Sequence, residues 1–216
     1  FMLIREHHEN REEWLAARKA GIGASEAAAV IGKSSFMSNM ELWRLKTGRA
    51  EKKNMAGNSA VEYGNRLEPA MRVMFEACYP EYKLDYHPFD ILYQDDCPFI
   101  RATLDGELTE IVTGKRGILE IKTAMTSNKM QWERWKDGVP QGYYCQCLHQ
   151  MIATGWDFVI LYAKLTKMDG DCEIRKYQFE REACLEDMEW LKQKSARFWE
   201  ENVVKGIQPS AILPEL

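Results

Sequence analysis

The sequence changes its periodicity at Pro80, and that change restricts the folds open to it. Before Pro80 the apolar residues recur at helical spacing. Asn10 with Glu13 and Ser38 with Glu41 read as helix N-caps with their capping partners, and Gly21 and Gly48 end those helices. Ser25 or its neighbour starts a short Ala-rich helix that stops at Gly32. A longer helix is predicted from about Asn58 to Tyr79, with Val61, Leu67, Met71, Met74, Phe75 and Cys78 as its apolar positions and Pro69 inside it. After Pro80 the segments near Asp90–Tyr93, Phe99–Thr103, Glu107–Val112 and Gly117–Lys122 are short and β-rich, separated by Gly-containing turns. Helices are then expected over Ser127–Lys136 and Gln141–Ala153, and a strand over Trp156–Leu165. Asp169-Gly170 makes a turn to an antiparallel partner at Glu173–Phe179. Arg181–Val204 closes the chain as a long amphipathic helix burying Leu185, Met188, Leu191 and Phe198. With no repeat or linker in view, residues 1–216 read as a single α/β domain built on a central mixed sheet flanked by helices.

Within the strand region, Thr103-Leu104-Asp105-Gly106 and Leu119-Glu120-Ile121-Lys122 carry the chemistry. Side chains on a strand alternate faces, so Glu120 and Lys122 point the same way while Ile121 enters the opposite packing layer. Asp105, ending a preceding strand just before a Gly turn, brings a second carboxylate from a neighbouring strand. Two carboxylates and a backbone carbonyl, that of Ile121, suit Mg²⁺, which takes oxygen ligands and keeps several waters; Mn²⁺ is a reasonable substitute. A lysine beside such a site orients the attacking water or helps it lose a proton while the metal polarises a phosphate. Spacing alone equally describes two exposed strand acids with a salt-bridged lysine.

The net charge of −4 is unusual for a protein that grips a polyanion, but what matters is where the cations lie. Arg44, Lys46, Arg49, Lys52 and Lys53 form one group in the sequence. Lys115, Arg116, Lys122, Lys129, Arg134 and Lys136 form another. The plainer reading of each is a solvated face. Cys78, Cys97, Cys145, Cys147, Cys172 and Cys184 include no Cys-x-x-Cys pair, so reduced and mostly buried thiols are expected rather than zinc, an iron–sulfur cluster or disulfides. His7, His8, His87 and His149 lack metal-ligand spacing. No apolar run of membrane-spanning length is visible and the first residues are polar, so a cytoplasmic protein without a membrane partner is expected.

Four ordered motifs together resemble the lambda exonuclease, or YqaJ viral recombinase, family of PD-(D/E)xK nucleases, over most of the chain. Trp14 to Glu26 (Trp-Leu-Ala-Ala-Arg-Lys-Ala-Gly-Ile-Gly-Ala-Ser-Glu) is similar to that family's opening motif, and Tyr63-Gly64-Asn65-Arg66-Leu67-Glu68 to its helical acid motif. Thr103 to Gly106 with Glu120-Ile121-Lys122 resembles its metal motifs, and Tyr143 to Thr154 its Gln-rich helix. The resemblance implies the PD-(D/E)xK core with an N-terminal helical extension. It places the metal ligands on Asp105 and Glu120 and the catalytic lysine on Lys122. Glu68 becomes a ligand for a second metal or a water-positioning group. Arg18 and Ser25, with Thr103 adding a hydroxyl, would hold a 5′-phosphate. The family's Gln-x-Gln is broken here by Leu148, leaving Gln146 or Gln150, four apart on one helix face, to make a phosphate-side hydrogen bond.

The activity implied is 5′→3′ digestion of one strand of linear double-stranded DNA. It leaves a 3′ overhang for a single-strand annealing protein in phage-type recombination within a bacterial host, and the enzyme is expected as a homotrimeric ring. An endonuclease on the same core, or a DNA-binding or assembly protein on an inactivated one, are the competing readings.

Overall fold

A computed structural model describes residues 1–51, 58–126, 129–136 and 138–212. Lys52, Lys53 and Ser127, which figure in the expectations above, lie outside the described residues. The chain opens with a strand that its polar composition hides: β1 (Leu3–His7) pairs antiparallel with β4 (Asp90–Gln94). Arg5 holds β1 down, reaching buried Asp90 at 2.6 Å and gripping buried Glu107 with two hydrogen bonds of 2.6 and 2.9 Å. The side chain of Asn10 accepts the Glu12 and Glu13 N–H groups and starts α1 (Arg11–Ala17), which tightens into a 3-10 turn at Arg18–Ala20. Gly21 then permits a backbone crossing, because a Cβ there would lie 2.5 Å from the Phe99 carbonyl. That approach lets β2 (Ile22–Gly23) run parallel to β5 (Ile100–Arg101).

A 3-10 turn at Ala24–Glu26 leads into α2 (Ala27–Val30), whose side chains are all buried, and Gly32 at φ 72° ends it. The Ser38–Glu41 capping box opens α3 (Asn39–Lys46), and Asn58 caps α4 (Ser59–Cys78). On α4 only Met71 and Phe75 are buried; Val61, Met74 and Cys78 are exposed, contrary to the periodicity, because the helix touches the sheet along a narrow stripe.

The main sheet has the order β3 (Tyr82–Asp85), β6 (Gly106–Glu110), β7 (Arg116–Thr126), β8 (Phe158–Lys167), β9 (Cys172–Glu180). Only β7 and β8 pair in parallel; the other neighbours are antiparallel, so the sheet is mixed. The β3 edge strand is too short and polar to stand out in the sequence. Of the expected Phe99–Thr103 strand only Ile100–Arg101 forms, and Gly117–Lys122 proves to be the start of a longer β7.

Period-two alternation assigns the two faces. Leu119, Ile121 and Ile160 pack against Met71 and Phe75 of α4. Ile118, Val159 and Leu161 pack against Leu148, Met151 and Ile152 of α6 (Gln141–Thr154) and Met188 and Leu191 of α7 (Leu185–Arg197). The mixed α/β architecture expected from the sequence is therefore present. Between β7 and α6 lies the short α5 (Lys129–Glu133). The closing helix is not uniform: a 3-10 turn precedes α7, Leu185 is exposed, and Phe198–Val204 continues as π-helix. All six cysteines are free, with Cys78 and Cys172 exposed. Among the described residues no helix is long and apolar enough to cross a membrane.

Candidate active site

The β6–β7 ladder opens where the chemistry sits. Gly106 pairs with Leu119 as the last rung, so Asp105 stands opposite Glu120 one step beyond it. There the Asp105 carboxylate replaces the missing strand, Oδ2 accepting the Ile121 N–H at 2.8 Å. Gly106 permits the close rung, since a Cβ on it would come 3.2 Å from Leu119 Cβ. Asp105 thus precedes β6 rather than ending the strand before it.

Glu120 is buried on the α6 face and Lys122 lies beside it, its Nζ 2.6 Å from Glu120 Oε1. Burial works against the Lys122 ammonium, but Glu120 and Asp105 outweigh it and hold the group above the ordinary lysine range. Burial, Glu120 and Glu68 push the Asp105 carboxyl well above the usual carboxylate range, and Lys122 and the Ile121 amide only partly oppose them. Like charge from Glu120 and Glu68 thus crowds Asp105.

Glu68 reaches this cluster from α4 through Arg72. Arg72 Nη1 binds Glu68 Oε1 at 2.6 Å and the Asp105 carbonyl at 3.1 Å, while its guanidinium lies 3.7 Å over the Tyr86 ring. Sequence reasoning missed Arg72, although an acid four residues before a base on a helix is a recognised pair. Gly64 brings α4 close to β7: a Cβ there would stand 3.1 Å from Thr123 Oγ1.

The two glutamines do not face an open surface. Gln146 Nε2 donates to Glu120 Oε1 at 2.6 Å and Gln150 Nε2 to Glu120 Oε2 at 2.5 Å, both side chains being buried. His149 is buried as well, its Nε2 lying 3.1 Å from the Arg101 carbonyl.

Arg18 and Thr103 meet in a small pocket lined also by Gly23, Ala24, Ile91 and Arg101. Its volume of about 10 Å³ holds roughly one water, so a phosphate would dock at its mouth. The Arg18 guanidinium stacks 4.5 Å over Trp14 and makes no ion pair among the described residues. Burial lowers its pKa. Ser25 is exposed on the adjoining 3-10 turn and does not line this pocket. Arg101 was missed; Arg101, Thr103 and Asp105 alternate along the chain, which is the signal that links them. A cavity of about 590 Å³ lies elsewhere, between Leu3, Trp156 and Lys192, and contains none of these residues.

The arrangement can hold a hard cation, though not by a ready-made cage. Among the described residues no three His, Cys, Asp or Glu side chains gather into a chelate. Asp105, Glu120 and the Ile121 carbonyl could hold such an ion with water or substrate completing its shell, which is the manner Mg²⁺ favours. The like-charged surroundings of Asp105 are the feature that a divalent ion would relieve.

Comparison with known proteins adds the following. The model of the YqaJ-like viral recombinase domain matches residues 13–157, which include Arg18, Glu68, Asp105, Glu120, Lys122 and both glutamines. Protein YqaJ of Bacillus subtilis (strain 168) is 28% identical over 209 residues, or 97% of this chain and 61% of that protein, so the chain spans about three fifths of this relative's length. The alkaline exonuclease LHK-Exo from Laribacter hongkongensis superposes with a TM-score of 0.64 at 21% identity, covering 89% of this chain and 94% of that one. LHK-Exo in complex with dAMP gives a TM-score of 0.62 at 22% identity, with the same coverage. At these identities the likeness is one of fold.

Proposed function

This chain belongs to the YqaJ-like viral recombinase domain family, and from that premise we propose that it is a metal-dependent exodeoxyribonuclease acting in recombination. The observation that carries the proposal is the placement of half-buried Asp105 opposite buried Glu120, one step beyond the last rung of the ladder, with the Lys122 ammonium beside Glu120. The solved relative of the same fold is itself an alkaline exonuclease.

In this reading Asp105, Glu120 and the Ile121 carbonyl would hold Mg²⁺, or Mn²⁺ in its place. The chemistry such an ion would supply is polarisation of the scissile phosphate and a more acidic attacking water. Lys122 donates hydrogen bonds from a charged Nζ, which suits it to steady a water or a phosphate oxygen. Glu68, linked to Asp105 through Arg72, serves as a water-positioning group or a ligand to a second ion.

The substrate is linear double-stranded DNA, degraded 5′→3′. The mouth of the pocket around Arg18 and Thr103 receives the 5′-phosphate, and the exposed Ser25 hydroxyl on the adjoining turn is the further group assigned to it. The product is a 3′ overhang for a single-strand annealing protein, and residues 1–216 act as one nuclease unit within a homotrimeric ring.

The test is release of nucleotides from linear duplex with and without Mg²⁺, beside a covalently closed circle of the same sequence. Mg²⁺-dependent release from the linear form alone is expected. Cutting of the circle would assign an endonuclease instead, and no release from either would leave a DNA-binding or assembly protein.

A further inference from the structure

Gln146 and Gln150 lie one helical turn apart on α6 and approach Glu120 together. Each donates from Nε2 to a different carboxylate oxygen, Gln146 to Oε1 and Gln150 to Oε2, and Lys122 shares Oε1. The amide orientation is forced, because a carboxylate only accepts. For Gln150 this leaves Oε1 fully buried without a partner. A buried carbonyl left unpaired is costly, and an apolar residue such as the neighbouring Leu148 would fill the space without that cost. What the glutamine supplies in return is its N–H on the carboxylate.

We infer that Gln146 and Gln150 are positioning residues that grip Glu120 by one oxygen each and fix the plane of its carboxylate toward Asp105; the inference rests on the nuclease reading of this site. One hydrogen bond would leave the carboxylate free to turn about its terminal torsion, which is soft. Two, from a helix packed against β7 and β8, remove that freedom. Oε1 already accepts from Gln146 and Lys122, whereas Oε2 accepts from Gln150 alone and keeps acceptor capacity to spare. Partners of this kind around a liganding carboxylate set its orientation and basicity.

The experiment compares wild type with Gln146→Met, Gln150→Met and the double variant. It reads kcat and KM on linear duplex, the affinity of the DNA-free protein for Mn²⁺ by calorimetry, and Tm. Each single substitution is expected to lower kcat roughly ten- to hundredfold and to weaken Mn²⁺ binding about tenfold, with KM for duplex nearly unchanged. The double variant should be little worse than Gln150→Met, which leaves Oε2 without a partner, whereas Lys122 still holds Oε1 after Gln146→Met. A fully additive double variant overturns the inference, as does Mn²⁺ affinity equal to wild type in both single variants. So does a kcat loss no larger than the loss of folded protein. If Gln150→Met does not fold, Gln146→Met, nearer the edge of the site, carries the same readings. If wild type releases no nucleotides, the function proposed above falls. The dependence of Mn²⁺ binding on the two glutamines then still decides whether they position Glu120.

Discussion

Asp105 stands at a site where function and stability oppose each other. Its carboxyl is raised by burial, Glu120 and Glu68, so the folded state favours the protonated form more than the unfolded chain does. Stability from this group is present at low pH and is lost as pH rises through the folded value, where the charge must be carried unpaired. Asp105→Asn removes that charge and leaves an oxygen for the Ile121 N–H. In EDTA the variant should melt higher than wild type at pH 9 and lose that margin toward acid pH; a gain of about 1 kcal/mol would read as roughly 2–4 °C in a chain of this size. It should also abolish cleavage while keeping duplex binding. Differential scanning calorimetry and a gel-shift assay check the two halves. A lower Tm at pH 9 contradicts the charge argument, and retained Mg²⁺-dependent cleavage contradicts the metal assignment.

Helix α6 is the element on which the site depends, since it holds Glu120 through two glutamines and the Arg101 carbonyl through His149. Burial keeps His149 neutral and brings its pKa down to about 4. An unfolded histidine takes up its proton near 6.5, so stability is full above that pH and falls between 6.5 and about 4. The loss approaches about 3 kcal/mol at the bottom of the window. His149→Gln can donate the same hydrogen bond without titrating, and its unfolding free energy should be flatter across that window. Urea unfolding at pH 7 and pH 4.5 reads this directly, and equal acid sensitivity of the two proteins would exclude His149 as the cause. Beside α6, the turn between α1 and β2 presents Arg18 without an ion pair among the described residues. Arg18→Ala should narrow the preference for 5′-phosphorylated over 5′-hydroxyl duplex by about ten- to a hundredfold in kcat/KM, the usual range for a charge-assisted hydrogen bond. Full preference in the variant would place the phosphate elsewhere.

At the scale of the molecule, the basic residues between Lys115 and Lys136 are spread along β7 and past its end rather than gathered at one point. Lys115 and Arg116 sit at one end of β7, where Arg116 pairs with Glu107 and stacks on Trp156. Lys129 and Arg134 are exposed beyond the other end, roughly 30 Å away along the strand. Lys122, between them, is committed to Glu120. The expected contact with duplex is therefore by Lys129 and Arg134, which are exposed. Charge reversal at either should weaken DNA binding and reduce the slope of log K against log salt by about one, while Lys115→Glu changes it less. Fluorescence anisotropy over a salt series distinguishes these outcomes. Light scattering tests the ring: a monomer at micromolar concentration that remains processive on long DNA rules it out.

What the sequence determined by itself was set locally: the caps at Asn10, Ser38 and Asn58, the helices they open, the β7 to β9 strands, and the same-face placement of Glu120 and Lys122. Period and capping chemistry act over a few residues and leave their mark in the order of amino acids. The short strands β1, β2 and β3 were not legible, because an edge strand of mixed polarity exists only through its partner. Nor could sequence spacing say that Asp105 would take the place of a missing rung or that Arg72 would bridge Glu68 to it. It equally gave no sign that Gln146 and Gln150 would turn inward to Glu120 rather than outward to phosphate. Those choices were made when α4 and α6 packed on opposite faces of the sheet, and only that packing brings residues 68, 105, 120, 146 and 150 within hydrogen-bonding and Coulombic reach of one another.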